Sequence, residues 1–182
     1  MTTDHTRIAD ELAINNLVNR YSDAIVRRAA DDWGNTWSIK GEWHLFGQVH
    51  QGRDVIVKQW EGFLGRLPFV HQQSSGGLIS FPNGVDTDTD IDTDIDNNID
   101  NNTNTNINNT ATGRWYVTEW GVTGDGPGML TLGVYHDDYV REPAADASAE
   151  ATCWRFARRK FAPLYMGPPD LSGAPKPFPT DA

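Results

Sequence analysis

Cysteine is nearly absent from this chain: Cys153 is the only one in 182 residues. A single thiol excludes an internal disulfide, and it can build neither a CxxC redox motif nor a thiolate metal cluster. Long hydrophobic runs are also missing. No stretch approaches the ~18 apolar residues of a membrane span, and Met1-Thr2-Thr3-Asp4-His5 lacks a basic segment followed by an apolar core. A cytoplasmic, unexported chain with no membrane partner is expected. Basic residues are in the minority, 15 Lys and Arg against 25 Asp and Glu, with pI ≈ 4.7 and no long basic run. Nucleic acid is therefore not an expected partner. The five histidines show no ligand spacing: His44 and His50 fall on a strand and a turn without a carboxylate in a recognisable pattern. No metal site is expected.

The acidity is local. Of the formal net charge of −10, Asp86, Asp88, Asp90, Asp92, Asp94, Asp96 and Asp100 carry seven charges with no Lys or Arg among them, which leaves −3 for the rest. Residues 86–110 alternate Asp, Asn and Thr and are too poor in apolar mass to offset the entropy of ordering. No frame of the run has both the glycine and the closing glutamate of an EF-hand loop. The length suits one domain, residues 1–182, with a flexible acidic insertion at about 84–112 and an extended Pro-rich tail from about 163.

Ile14, Leu17, Val18, Tyr21 and Ile25 recur at spacings of three and four and predict one long helix with a buried stripe. Trp33 and Trp37 suggest a short helical turn after Asp31. A strand at 41–47 precedes a third helix, on which Ile56, Trp60, Phe63 and Leu64 share a face. Four further strands are expected: Pro68–Ile79, Gly113–Gly121, Met129–Arg141 and Cys153–Phe161. Helices first and an antiparallel meander afterwards predict an α+β fold, with the helices covering one face of a curved sheet.

One histidine organises the functional reading. In Phe69-Val70-His71-Gln72-Gln73-Ser74-Ser75-Gly76-Gly77 an apolar run passes through an imidazole into small residues and two glycines, as a strand bent over a cavity would. His71 is read as pointing into that cavity, where an imidazole exchanges protons near neutrality. On the strand after the acidic segment, Trp115, Val117 and Glu119 form one alternating set and Arg114, Tyr116, Thr118 and Trp120 the other. If the first set is concave, Glu119 shares the chamber with His71. Trp43 and Trp115 are candidate stacking walls, Tyr21 a candidate hydroxyl donor, and Arg159 a candidate anchor for an anionic group. The plainer alternatives are a satisfied core histidine, a solvated carboxylate and a surface cation.

Several strings in order, namely Leu17-Val18-Asn19-Arg20-Tyr21-Ser22-Asp23-Ala24-Ile25, Asp32-Trp33, Gly41-Glu42-Trp43, Gly52-Arg53-Asp54-Val55-Ile56, Val70-His71, Gly113-Arg114-Trp115-Tyr116-Val117 and Trp154-Arg155-Phe156-Ala157-Arg158-Arg159, resemble the SnoaL-like branch of the nuclear transport factor 2-like superfamily. The resemblance implies a cone-shaped, cystatin-like α+β fold: a curved antiparallel sheet wrapped by N-terminal helices. Relatives of this type include polyketide cyclases, scytalone dehydratase and hexachlorocyclohexane dehydrochlorinase. In the last two an aspartate ending the first helix orients a histidine that removes a proton. By resemblance His71 matches that histidine, Trp43 a pocket tryptophan and Arg159 a last-strand arginine. Val26 stands where the aspartate is expected. Either Glu119 substitutes from the opposite wall, or His71 is retained without the task.

The implied function is a cofactor-independent lyase or isomerase of dehydratase, dehydrochlorinase or cyclase type. It would act on a small apolar cyclic or aromatic compound, with catalytic His71 and Glu119 and with Tyr21, Trp43, Trp115, Val117 and Arg159 binding substrate. The alternative is a non-catalytic ligand-binding or assembly module, such as a protein resembling a dioxygenase small subunit. A homodimer or homotrimer is implied in either case.

Overall fold

The stripe on the first helix decides how the chain begins to pack. In the computed structural model, which describes residues 2–82, 109–124, 126–143 and 152–179, α1 (Thr2–Arg27) buries Ile14, Leu17, Val18, Tyr21 and Ile25. It ends in a reversal in which Arg28 N–H donates to the Ile25 carbonyl and Ala29 N–H to that of Ala24. Arg28 takes the left-handed position of that motif with φ 59°. Glycine usually fills it, because a side chain there costs about 1–2 kcal/mol. Helix α2 (Ala30–Gly34) follows, and α3 (Arg53–Leu64) buries Ile56, Trp60 and Leu64 at intervals of one turn.

Six strands form one sheet: β1 (Trp37–Leu45), β2 (Gln48–Gln51), β3 (Phe69–Ser80), β4 (Thr110–Val122), β5 (Gly128–Pro143) and β6 (Thr152–Gly167). Their order is β2-β1-β6-β5-β4-β3. β3 to β6 form an antiparallel meander and β1 joins β6 in parallel. Bulges curve the sheet. In β3 the register shifts between Ser75 and Leu78, with Gly76 at φ 62°. At Gly77 a Cβ would lie 2.2 Å from the Trp115 ring, so only glycine lets that indole lie flat against β3. The glycine pair is therefore a bulge that seats a tryptophan.

The three helices cover the concave face, and the core between is aromatic. Trp33 stacks on Trp60 with centroids 4.7 Å apart and planes at 11°, while Tyr21, Trp37, Trp43 and Phe156 pack edgewise or tilted around them. Such rings bury large areas and favour these offset contacts. Among the described residues no helix is long and apolar enough to cross a membrane.

The architecture is the α+β one expected, with differences of detail. Trp37 opens β1 instead of ending a helix with Trp33, because α2 stops at Gly34. The hairpin partner β2 was not expected; it follows a tight turn in which Phe46 and Gly47 both have positive φ. β4 begins at Thr110, inside the span expected for the acidic insertion, and β6 runs five residues into the span expected for the tail. The rest of the expected insertion, residues 84–108, lies outside the described residues. The tail crosses the sheet's outer face, where Phe178 sits 6.4 Å from Tyr116 and beneath the Arg114 guanidinium.

Candidate functional site

A cavity of about 270 Å³ lies between the concave face and the helices. Its walls are mostly apolar: Ile25 from α1, Trp43 and Leu45 from β1, Trp60, Phe63 and Leu64 from α3, Phe161 from β6. Five polar side chains interrupt the hydrocarbon on the sheet side and on α1, namely Tyr21, Gln72, Glu119, Thr131 and Tyr135, and Arg66 and Thr123 complete the polar lining.

The pairing of β3 with β4 puts Gln72 directly opposite Glu119. Gln72 Nε2 donates to Glu119 Oε2 at 2.8 Å and also lies 3.5 Å from the Tyr135 hydroxyl. Burial pushes the Glu119 pKa up, because the ionised carboxylate loses hydration, and the Gln72 hydrogen bond pulls in the opposite direction. Among the described residues no cation pairs with Glu119. Burial likewise raises the Tyr21 and Tyr135 hydroxyls, against the pull of the Arg159 charge, so both stay protonated through the physiological range, with Tyr135 donating to Tyr21. Two further atoms are left open: Gln72 Oε1, an acceptor, and Trp43 Nε1, a donor, are buried without hydrogen-bond partners among the described residues. Each such group costs about 1–3 kcal/mol unsatisfied, a cost that a ligand offering the complementary group would relieve.

Beneath this wall lies a different kind of polar group. Arg159 is fully buried and grips Asp137 with a fork, Nε to Oδ1 and Nη2 to Oδ2, both at 2.8 Å. Tyr139 donates to Asp137 at 2.8 Å, and Trp115 Nε1 donates to the Tyr139 oxygen at 2.7 Å. The guanidinium carbon sits 4.0 Å from the ring centres of Tyr135 and Phe156 and 4.3 Å from that of Tyr21. Burial works to lower the Arg159 pKa, but the Asp137 carboxylate outweighs it and holds the guanidinium charged. This fork beneath aromatic rings is a structural clamp.

The expected chamber for His71 is not found. Val70 and Gln72 are buried on β3, so alternation turns His71 to the opposite, outer face, where it is exposed and its ring lies 5.8 Å from that of Trp120. His71 and Glu119 are on opposite sides of the sheet. Two other expected pocket residues are corrected for a different reason: Trp115 and Arg159 face inward but do not line the cavity, because both are held in the Asp137 network behind it. Tyr21, Trp43, Val117 and Glu119 do line it. Val26, at the position of the family aspartate, is 39% exposed, and its neighbour Ile25 faces the cavity. No carboxylate thus enters from the end of α1.

Gln72 and Tyr135 were not anticipated. Taking Val70 instead of Phe69 as the inward apolar residue of β3 would have found Gln72. For Tyr135 the local sequence held no signal, since apolar residues occupy both faces of β5 there. Among the described residues no group of His, Cys, Asp and Glu has the arrangement to hold a metal ion.

No curated protein matches the chain. Among solved structures, a hexachlorocyclohexane dehydrochlorinase, LinA type 2, superposes with a TM-score of 0.69 at 16% identity, over 98% of this chain and 99% of that one. A putative scytalone dehydratase from Novosphingobium aromaticivorans gives 0.69 at 17% identity, over 100% and 99%. A nuclear transport factor 2-like protein with a cystatin-like fold from the same organism gives 0.61 at 16%, over 90% and 87%. At these identities the likeness is one of fold. The family model for the SnoaL-like domain matches residues 6–160. With most of its length so matched, the chain belongs to the SnoaL-like domain family.

Proposed function

We propose that the cavity binds a small, largely apolar organic molecule and that Glu119, not His71, exchanges a proton with it, in a cofactor-independent lyase or isomerase reaction. One observation carries this reading: Glu119 is a half-buried carboxylate on the cavity wall, held by Gln72 and paired with no cation among the described residues. A carboxylate whose pKa is raised toward working pH is a better proton acceptor than a solvated one, and in its protonated form it is a competent acid. Tyr21 accepts hydrogen bonds from Tyr135 and Arg159 and keeps its own hydroxyl proton for the cavity, where it suits an oxyanion that develops as a proton leaves carbon. Trp43 and Val117 form walls against which a flat apolar body packs. The names of the dehydrochlorinase and the putative dehydratase of the same fold support an elimination-type reaction.

The test is solvent exchange. Cyclic carbon acids that bind in a ligand-observed NMR screen are incubated with the protein in deuterium oxide and followed for loss of carbon-bound hydrogen. Glu119→Gln should bind the same compounds without exchanging them, and His71→Ala should exchange them as the parent does. Exchange that survives in Glu119→Gln and disappears in His71→Ala would overturn the assignment.

A second reading keeps the ligand and drops the chemistry. Val26 faces outward and Ile25 replaces any carboxylate from α1, so the aspartate–histidine pair of the catalytic relatives is not assembled. Tight binding with no exchange of any bound carbon acid by the parent protein would favour this non-catalytic module. Phe69, Tyr116 and Trp120, exposed on the outer face of the sheet, support the homodimer or homotrimer that the resemblance implies. Light scattering that gives a monomer mass would remove it.

A further inference from the structure

The cavity lining is polarised, and that polarity describes its ligand. Among the described lining residues Glu119 is the one acid and Arg66 the one cation. They sit in different settings: Glu119 is half-buried in the wall, whereas Arg66 is exposed on the turn between α3 and β3. Arg66 forms no ion pair among the described residues.

The turn that carries Arg66 is held from two sides. Within it, Gly65 N–H donates to the Glu61 carbonyl at 2.9 Å, Arg66 N–H to that of Phe63 at 3.1 Å and Leu67 N–H to that of Leu64 at 3.1 Å. From across the helix layer, Arg28 donates to the carbonyls on either side of Arg66: Nη1 to Leu64 at 3.0 Å and Nη2 to Leu67. Arg28 does so from the strained left-handed backbone at the end of α1. One arginine is thus spent on backbone carbonyls to fix the turn, and the other is presented from it at the cavity rim without a partner.

We infer that the ligand is an amphipathic organic acid, whose apolar body enters the cavity and whose anionic group, a carboxylate or sulfonate, stays at the rim against Arg66. The inference rests on the reading of the cavity as a site for an apolar molecule. An anion carried inward would meet the Glu119 carboxylate among mostly apolar walls, where like charges repel more than they do in water. With the anion outward, the same two residues fix the orientation of the ligand and present its far end to Glu119.

Two dyes with one apolar body separate this claim from the reading beneath it: N-phenyl-1-naphthylamine, which is neutral, and 8-anilinonaphthalene-1-sulfonate, which adds a sulfonate. By fluorescence titration the sulfonated dye should bind about fivefold tighter, the worth of one exposed ion pair. Added salt should erode that advantage. Arg66→Gln should remove the preference for the sulfonated dye, and Arg66→Glu should invert the order. Equal or weaker binding of the sulfonated dye, or a preference that survives Arg66→Gln, overturns the anionic-ligand assignment and leaves the cavity reading standing. If the neutral dye does not bind, or Val117→Phe in the cavity wall does not weaken it, the cavity reading fails and the inference falls with it.

Discussion

Asp137 and Glu119 are carboxylates on the concave face of neighbouring strands, and their surroundings are opposite. Asp137, 2% exposed, has both oxygens engaged by Arg159 and a third hydrogen bond from Tyr139. Glu119 receives one hydrogen bond from Gln72 and faces open space. A buried charge whose valences are all met is part of the scaffold, because it has nothing left to offer a ligand. One that is half-buried and only partly satisfied keeps lone pairs to offer a ligand, and burial raises its proton affinity.

The contrast breaks first, and with the largest effect, at the scaffold. Asp137→Ala leaves a buried guanidinium without its counter-ion, and we expect a loss of about 3–5 kcal/mol in urea unfolding. A loss below about 1 kcal/mol would make the Arg159 clamp dispensable. Next comes Glu119→Gln, which should leave the protein folded and reduce solvent exchange into bound carbon acids by about 10²–10⁴-fold. Gln72→Leu sharpens the comparison further. The Gln72 hydrogen bond holds the Glu119 pKa down, so its removal should move the rise of rate with pH to higher pH; an unmoved profile would show that Gln72 does not tune the carboxylate.

A smaller effect belongs to stability. Burial raises the Glu119 pKa in the folded state above its unfolded value, so the ionised carboxylate is a cost that is fully present above the folded value and absent below the unfolded one. Glu119→Gln should therefore raise Tm at pH 8 and leave it unchanged below pH about 4, near the ordinary carboxylate value. The reverse dependence would mean that Glu119 is favourably solvated or paired. Smallest of all is His71→Ala on the outer face, which should change both stability and exchange by less than about twofold, as surface substitutions do.

The elements were largely legible in the sequence because each rests on a local pattern. The stripe from Ile14 to Ile25 and the β-branched and aromatic runs of β3 to β6 needed no distant information. The face of each strand was harder. In β3 both Phe69 and Val70 are apolar, so the alternation has two phases, and the phase that put His71 inside is the wrong one: Phe69 is 52% exposed and Val70 is 5% exposed. The deciding fact is the register of Gln72 against Glu119, which spans 47 residues and leaves no local mark. On β4 both alternating sets carry a tryptophan, and the choice fell to the glycine that lets Trp115 lie against β3. Arg159 was legible as a candidate anchor for an anionic group but not as a clamp on Asp137, since that partner sits on another strand. β2 was missed because a Phe46-Gly47 turn lacks the Asn or Asp that usually announces such a hairpin.

The hairpin of β3 and β4 carries Gln72 and Glu119 near one end and leaves the sheet at the other, where Ser80 faces Thr112 and the strand resumes at Thr110. From Gln72 to Ser80 the chain travels roughly 25 Å at about 3.3 Å per residue. Pro82 and Asn109 therefore stand well away from the Glu119 carboxylate, and a reporter attached at either of them would sit clear of the cavity.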